Sequence, residues 1–361
     1  MTVRLQDVIE GIRPVSKEWR TRAGERLNNL AIPIGSLGRM LDLAEQLAAI
    51  KETLKPSVGK KAIVTMAGDH GVVEEGVSSC PQEVTPQMVY NFVAGGAGIN
   101  ALAEVAGAEV IVVDMGVARD FEDLVAAGKI LSRKVGYGTR NMVTGPAMTR
   151  EQAVQSLEAG INIAAGLVRD GVELLGTGDM GIGNTTPSSA IFAALSGLPV
   201  REATGRGAGI GDDALEQKIQ VIERALQLNK PDPSDPLDVL AKVGGFEIGG
   251  IAGVILGAAY CGTPVVVDGF ISTAGALLAR RIAPHAVDYM IAGHCSMEYA
   301  HRMMLEDLGL TPVLSLNMRL GEGTGAALAM CLLEGAAAVI GKMMTFEECR
   351  VARNKSKEYA R

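Results

Sequence analysis

Lys61-Ala62-Ile63-Val64-Thr65-Met66, followed after Ala67 by Gly68-Asp69-His70-Gly71, reads as a buried strand that stops at a polar turn. The same signature returns at Glu109–Val113 before Asp114-Met115-Gly116 and at Val172–Leu175 before Gly176-Thr177-Gly178-Asp179-Met180-Gly181. It recurs at Pro264–Val267 before Asp268-Gly269, at Ala286–Ile291 before Gly293-His294, and at Thr311–Leu316 before Arg319-Leu320-Gly321-Glu322-Gly323-Thr324-Gly325. A helix-like stretch follows each run. Six such units imply an α/β protein with a mainly parallel sheet flanked by helices on both faces. Its polar turns then share the carboxyl edge, which gathers Asp69, His70, Asp114, Asp179, Asp268, His294 and Glu322 along one rim. An Asp at a strand end also serves as a turn former or helix cap, so each member alone has a structural reading as well.

Outside this body the texture is helical. Val3–Ile12, Ser16–Asn29 and Leu37–Leu54 space Leu, Ile and Ala at three and four residues among charges, and Phe346–Arg361 is helical and strongly charged. We therefore expect a small helical domain built from residues 1–58 plus 346–361, beside a large α/β catalytic domain over 59–345.

With 361 residues, 48% apolar and 21% charged, the chain can bury a sizeable core. Its 45 glycines and 4% aromatics suit closely packed helices and tight turns. A net charge of −7 and a pI near 5.3 argue against nucleic-acid or anionic-membrane surfaces and favour small-molecule chemistry. Five cysteines without C-x-x-C spacing, and an N-terminus lacking an apolar core, fit a reducing cytoplasm. The apolar windows near 251–260 and 326–340 read as buried helices, so no membrane span is expected.

Among the turns, Gly176-Thr177-Gly178-Asp179-Met180-Gly181-Ile182-Gly183-Asn184-Thr185-Thr186 is the best anion cradle. Its glycines let backbone N–H groups approach a ligand, and its polar residues open the helix predicted over Pro187–Leu195. An ordinary βα turn has the same look, so spacing alone leaves both readings open. No G-x-x-x-x-G-K-[ST] occurs, and the dinucleotide fingerprint is incomplete. Thr204-Gly205-Arg206-Gly207-Ala208-Gly209 adds a second glycine cluster with a cation, and Lys218 beyond it is either a phosphate neutraliser or a solvated helix residue. His294, Cys295 and His301 with His70 and Cys80 match no zinc signature, and no G-x-S-x-G elbow is present. Glu322 is the anomaly: a carboxylate amid glycines is ill suited to a phosphate.

Seven blocks taken together carry a resemblance. They are Gly35-Ser36-Leu37-Gly38-Arg39, Gly68-Asp69-His70-Gly71-Val72, Pro81-Gln82-Glu83-Val84-Thr85, Gly145-Pro146-Ala147-Met148-Thr149, Gly181-Ile182-Gly183-Asn184-Thr185-Thr186, Val267-Asp268-Gly269-Phe270 and Arg319-Leu320-Gly321-Glu322-Gly323-Thr324-Gly325. In this order, over nearly the whole chain, the blocks resemble the nicotinate-nucleotide–dimethylbenzimidazole phosphoribosyltransferase (CobT) family of cobalamin lower-ligand assembly.

The resemblance implies a Rossmann-like large domain, a small helical domain from both termini, a homodimer, and no metal or cofactor. It implies phosphoribosyl transfer from nicotinate mononucleotide to 5,6-dimethylbenzimidazole, giving α-ribazole 5′-phosphate and nicotinate, with Glu322 as general base. Asp179, Gly181, Gly183, Asn184 and Thr185 then bind phosphate and ribose, Ser79 and Gln87 line the base pocket, and Lys218 lies near the phosphate. Gly207, Gly269, Ser296, Arg319, Leu320 and Gly321 complete the implied substrate contacts. Two departures stand out: Asp179 replaces a more usual Glu, and Ile32-Pro33-Ile34 stands where Lys-Pro-Pro is usual. A transferase acting on adenine, another benzimidazole or a phenol is the alternative; a non-catalytic nucleotide binder and an NAD-dependent oxidoreductase are readings from other classes.

Overall fold

The computed structural model describes residues 2–207 and 209–352. Its centre is a six-stranded sheet in which every neighbouring pair is parallel. The strands are β1 (Lys61–Gly68), β2 (Ala108–Gly116), β3 (Leu131–Ser132), β4 (Leu174–Met180), β5 (Val265–Val267) and β6 (Met290–Ala292). Their spatial order is β3-β2-β1-β4-β5-β6. The direction of winding reverses between β1 and β4, and the crevice outside the carboxyl ends at such a switch point is where α/β folds bind ligands.

The two-residue period of a strand splits β1 between two cores. Ala62, Val64 and Met66 join one buried cluster with the helices Arg150–Arg169, Phe246–Tyr260 and Phe270–Ile282. Ile63 and Ala67 join the other, with Arg39–Lys51, Gly98–Ala106 and Thr324–Lys342. Since both faces are covered, β1 is buried along its whole length, which explains why its sequence is continuous rather than alternating. The helix Thr324–Lys342 is long and apolar enough to cross a membrane, but 56% of that window is buried inside the fold, where Ala326, Met330 and Leu333 pack against the sheet. Packing accounts for its composition.

Several boundaries differ from expectation. Thr311–Leu316 is not a sheet strand: Val313 and Leu314 donate to the carbonyls of Ala292 and Gly293, and only Leu314 makes a ladder bridge, to His294. Pro312 removes a ladder donor, and Asn317 at φ 56° turns the chain away. The sixth strand is instead β3, whose two residues are too few to show a period. Ala286–Ile291 begins as a 3₁₀ turn over Pro284–Tyr289, so β6 starts only at Met290. Within the described residues, the helix predicted over Phe346–Arg361 spans Phe346–Cys349, because Arg350 adopts a left-handed cap at φ 56° and Val351–Ala352 are non-helical. The remainder of that prediction, 353–361, lies outside the described residues.

The helices Leu5–Gly11, Lys17–Asn29 and Arg39–Lys51 appear where the periodicity placed them. Arg26 ties the second of them to the chain's far end, donating to the carbonyls of Ile340 at 2.9 Å and Met343 at 3.0 Å and pairing with Glu348 at 3.3 Å. Leu30 and Thr345 form an antiparallel bridge beside these contacts.

Candidate active site at the carboxyl edge

The turn that carries Glu322 has three consecutive left-handed residues: Gly321 (φ 83°), Glu322 (φ 65°) and Gly323 (φ 101°). It lies flat on β4 because Gly178 lacks a side chain; a Cβ there would run into the carbonyl of Glu322. Glu322 N–H donates to the Asp179 carbonyl at 3.2 Å, and Thr65 Oγ donates to the Glu322 carbonyl at 2.9 Å. From the opposite side, Ile99 N–H at the start of the helix Gly98–Ala106 donates to Glu322 Oε2 at 2.9 Å. Burial raises the Glu322 carboxyl above the ordinary range, while the N–H groups of Ile99 and Gly98 hold it down in part. The result is an ionisable carboxylate, more basic than an exposed one, at the wall of a cavity.

That cavity has a volume of about 330 Å³, and its walls come from the segments that follow β1, β4, β5 and β6, from the turn that carries Glu322, and from Met88 and the glycine cluster near 206. Asp179 closes β4 and accepts from Asn184 Nδ2 at 3.0 Å through Oδ2, whereas its Oδ1 is buried without a partner. Burial, and then the nearby Asp268 charge, raise the Asp179 carboxyl well above its usual range against the pull of Asn184. The helix that follows runs Thr185–Ser196, two residues ahead of its predicted start at Pro187. Thr185 Oγ accepts from Lys218 Nζ at 2.6 Å. A Cβ on Gly207 would lie 2.9 Å from that hydroxyl and 3.6 Å from the ammonium, so Thr185, Gly207 and Lys218 converge at one point. Lys218 is 1% exposed, so it is not the solvated helix residue, and burial brings its ammonium down to about 8 despite the Glu298 charge.

A further wall of the cavity is pinned by a neutral histidine. Ser296 N–H donates to His301 Nδ1 at 2.8 Å, which leaves the ring proton on Nε2 facing Thr273 Oγ at 2.8 Å. The Thr273 hydroxyl donates onward to the Gly269 carbonyl at 2.8 Å. Burial, helped by His294, keeps His301 uncharged by bringing it down to about 3. One ring thereby fixes both Gly269 and Ser296, which line the cavity.

The residues match known proteins closely. A phosphoribosyltransferase family profile matches residues 12–351. The nicotinate-nucleotide–dimethylbenzimidazole phosphoribosyltransferase of Geobacter sulfurreducens is 57% identical over 348 residues, 96% of this chain and 98% of that one. The enzyme of the same name from Syntrophotalea carbinolica is 57% identical over 351 residues, 97% and 99% of the two chains. The chain belongs to the nicotinate-nucleotide–dimethylbenzimidazole phosphoribosyltransferase family. The crystal structure of CobT from Thermus thermophilus superposes with a TM-score of 0.90 at 48% identity, covering 93% of this chain and 100% of that one. The α/β architecture is thus shared with a solved family member as well as read from the sheet.

Of the residues assigned from sequence, Ser79, Asp179, Gly181, Gly183, Asn184, Thr185, Gly207, Gly269, Ser296, Arg319, Leu320, Gly321 and Glu322 all line the cavity. Lys218 reaches it through Thr185. Gln87 does not: it is exposed on the helix Val84–Ala94, and the next residue, Met88, lines the cavity instead. Consecutive helical side chains point about 100° apart, and on this helix that rotation turns Met88 to the cavity and Gln87 to solvent. Of the rim carboxylates, Asp69 accepts from Ala118 N–H at 2.8 Å, and Asp114 accepts from Val117 N–H at 2.9 Å and pairs with Lys134 at 2.9 Å. Those two serve the turns. Met88, Val77, Ile182, Phe270 and Ile271 form the apolar walls that sequence reasoning missed, since nothing in their pattern separates them from core.

Proposed function

We propose that this protein transfers the phosphoribosyl group of nicotinate mononucleotide to 5,6-dimethylbenzimidazole, giving α-ribazole 5′-phosphate and nicotinate for the nucleotide loop of cobalamin. The observation that carries this reading is a buried carboxylate, Glu322, facing a cavity with apolar walls on one side and the Asn184–Thr185–Lys218 cradle on the other. The names and full-length identity of the relatives support it.

In this reaction one ring nitrogen of the benzimidazole attacks C1′ while Glu322 takes the proton from the other. The C1′–N bond to the pyridinium breaks, and its electron pair neutralises the ring nitrogen, so nicotinate leaves as its carboxylate anion. Attack from the face opposite the leaving group turns a β-nucleotide into an α-product. The cradle holds the 5′-phosphate on the N-terminus of the helix Thr185–Ser196, where backbone N–H groups and the Lys218 charge favour an anion. Positive charge developing at C1′ is stabilised by the carboxyl oxygens of Asp179 acting as dipoles at the cavity wall. The test is incubation with nicotinate mononucleotide and a panel of benzimidazoles, purines and phenols, with products identified by mass. A ribazole phosphate supports the reading, and product formation only with adenine or a phenol replaces it by the alternative acceptor.

We also propose a homodimer, as the resemblance implies, to be checked by sedimentation. A cytoplasmic location is supported by the five cysteines, which form no disulfide among the described residues. We propose further that residues 1–58 and the chain from 346 onward act as one helical unit docked on the 59–345 body, a reading supported by the contacts of Arg26. Separate expression of residues 59–345 tests it.

A further inference from the structure

We propose that Asp268 is a positioning residue for the reaction: its carboxylate clamps the turn that carries Glu322 and so fixes where the base stands. Asp268 follows β5 directly, is 1% exposed and does not line the cavity. Its Oδ2 accepts from Gly323 N–H at 3.2 Å and its Oδ1 from Ala326 N–H at 2.9 Å. These are the residue after Glu322 and the third residue of the helix Thr324–Lys342. The clamp is itself anchored, since Asp268 N–H donates to Thr177 Oγ in β4 at 3.2 Å. His294 Nε2, on the other flank, stands 3.9 Å from Oδ1.

The geometry has an energetic reason. Glu322 is a non-glycine residue in left-handed backbone, a conformation costing roughly 1–3 kcal/mol that persists only where its surroundings over-determine it. A helix opening straight out of that turn leaves N–H groups without intrahelical partners. One buried carboxylate from a neighbouring strand satisfies two of them and holds the turn down on β4. Thr65 supplies the second hold through the Glu322 carbonyl. Displacing a catalytic group by about 1 Å can cost about 10²-fold in rate, so a clamp of this kind matters to turnover without touching substrate.

The inference rests on Glu322 acting as the base, and its test keeps the two apart. Asp268→Asn retains one acceptor oxygen but presents an amide donor to the other N–H, so the turn loses half its hold. In folded enzyme, below its melting temperature, kcat is expected to fall about 10–100-fold with KM for nicotinate mononucleotide within about threefold. Combined with Glu322→Gln, the same substitution should cost less than about threefold further, because it acts through the group already removed. Thr65→Val, which keeps shape and loses only the hydroxyl, should reproduce the pattern at about 3–10-fold and serves if Asp268→Asn fails to fold. Wild-type kcat in Asp268→Asn, or an undiminished loss in the Glu322→Gln background, overturns the positioning role alone. Full turnover in Glu322→Gln overturns the base assignment and this role with it.

Discussion

Lys218→Met keeps the length of a fully enclosed side chain and removes only its charge. In the ligand-free protein that ammonium is 1% exposed, donates to Thr185 at 2.6 Å and has been brought by burial down to about 8. The difference from an ordinary lysine corresponds to a cost on the order of 3 kcal/mol for holding the charge inside. A phosphate on the cradle offsets that cost, since hydrogen bonds to charged groups contribute about 1.5–3 kcal/mol each. The variant should therefore raise KM for nicotinate mononucleotide about 10–150-fold, leave kcat nearly unchanged, and melt no earlier than wild type without ligand. The pH dependence gives an independent check. Because the folded value is depressed, between about pH 8 and the ordinary lysine value the unfolded chain binds a proton that the folded one lacks, so ligand-free stability rises with pH across that window. Over the same window KM should climb by up to about tenfold per pH unit as the ammonium is lost. Both trends should vanish in Lys218→Met. Initial rates with nicotinate mononucleotide varied across this range, together with thermal melts, measure both. A variant with wild-type KM and wild-type pH dependence would refute the placement of the phosphate beside Lys218.

Glu322→Gln should lower kcat about 10²–10⁴-fold, the usual range for loss of a general base, while calorimetry still detects nicotinate mononucleotide binding. Since burial raises the Glu322 carboxyl, the acid limb of the kcat/KM profile should lie above the ordinary carboxylate range, and activity should fall as pH drops through it; a limb near pH 4 or below would contradict the buried environment. Gly178→Ala places a Cβ against the Glu322 carbonyl and should abolish turnover with a loss of stability on the order of 2 kcal/mol or more, read by denaturant unfolding. Met88→Ala should change the ranking of acceptor bases in competition assays, whereas Gln87→Ala should leave the KM of each base within about twofold, because the exposed side chain is outside the cavity.

The parallel sheet was legible because its central strands are buried on both faces and read as unbroken apolar runs ending at Gly or Asp-Gly. β1 and β2 are long enough for that signal, and β3, with two residues, is not. Thr311–Leu316 carried the same composition yet pairs only irregularly, because composition records burial and not ladder geometry. The glycine-rich half of the site was legible for a related reason: Gly178, Gly181 and Gly321 are imposed by close backbone approach or left-handed backbone, constraints that leave a mark on sequence. The apolar half was not. Met88 and Ile182 differ from core residues only in which side chains lie opposite them, and a helix turn of one residue separated Met88 from the misplaced Gln87. Lys218 was ambiguous for the same reason: a lone lysine in a helix says nothing of its burial until Thr185 and Gly207 are seen to close over it.

The carboxylate amid glycines follows from these constraints taken together. For Glu322 to reach a flat ring lying over the sheet's edge, its backbone must sit directly on β4, which requires Gly178 beneath and left-handed residues on either side. A turn of this kind is strained at its one residue that bears a Cβ, by roughly 1–3 kcal/mol. Four hydrogen bonds oppose that strain: Glu322 N–H to the Asp179 carbonyl, Thr65 to the Glu322 carbonyl, and Gly323 and Ala326 N–H to Asp268. At about 0.5–1.5 kcal/mol net apiece they outweigh it. A phosphate loop needs its N–H groups pointing at the ligand; here two of them point into the protein at Asp268, and Ile99 N–H is taken up by the Glu322 carboxylate itself. With the N–H groups of Glu322, Gly323 and Ala326 committed, the centre of this turn offers the incoming base an acceptor, and the anion is left to the Thr185–Lys218 cradle.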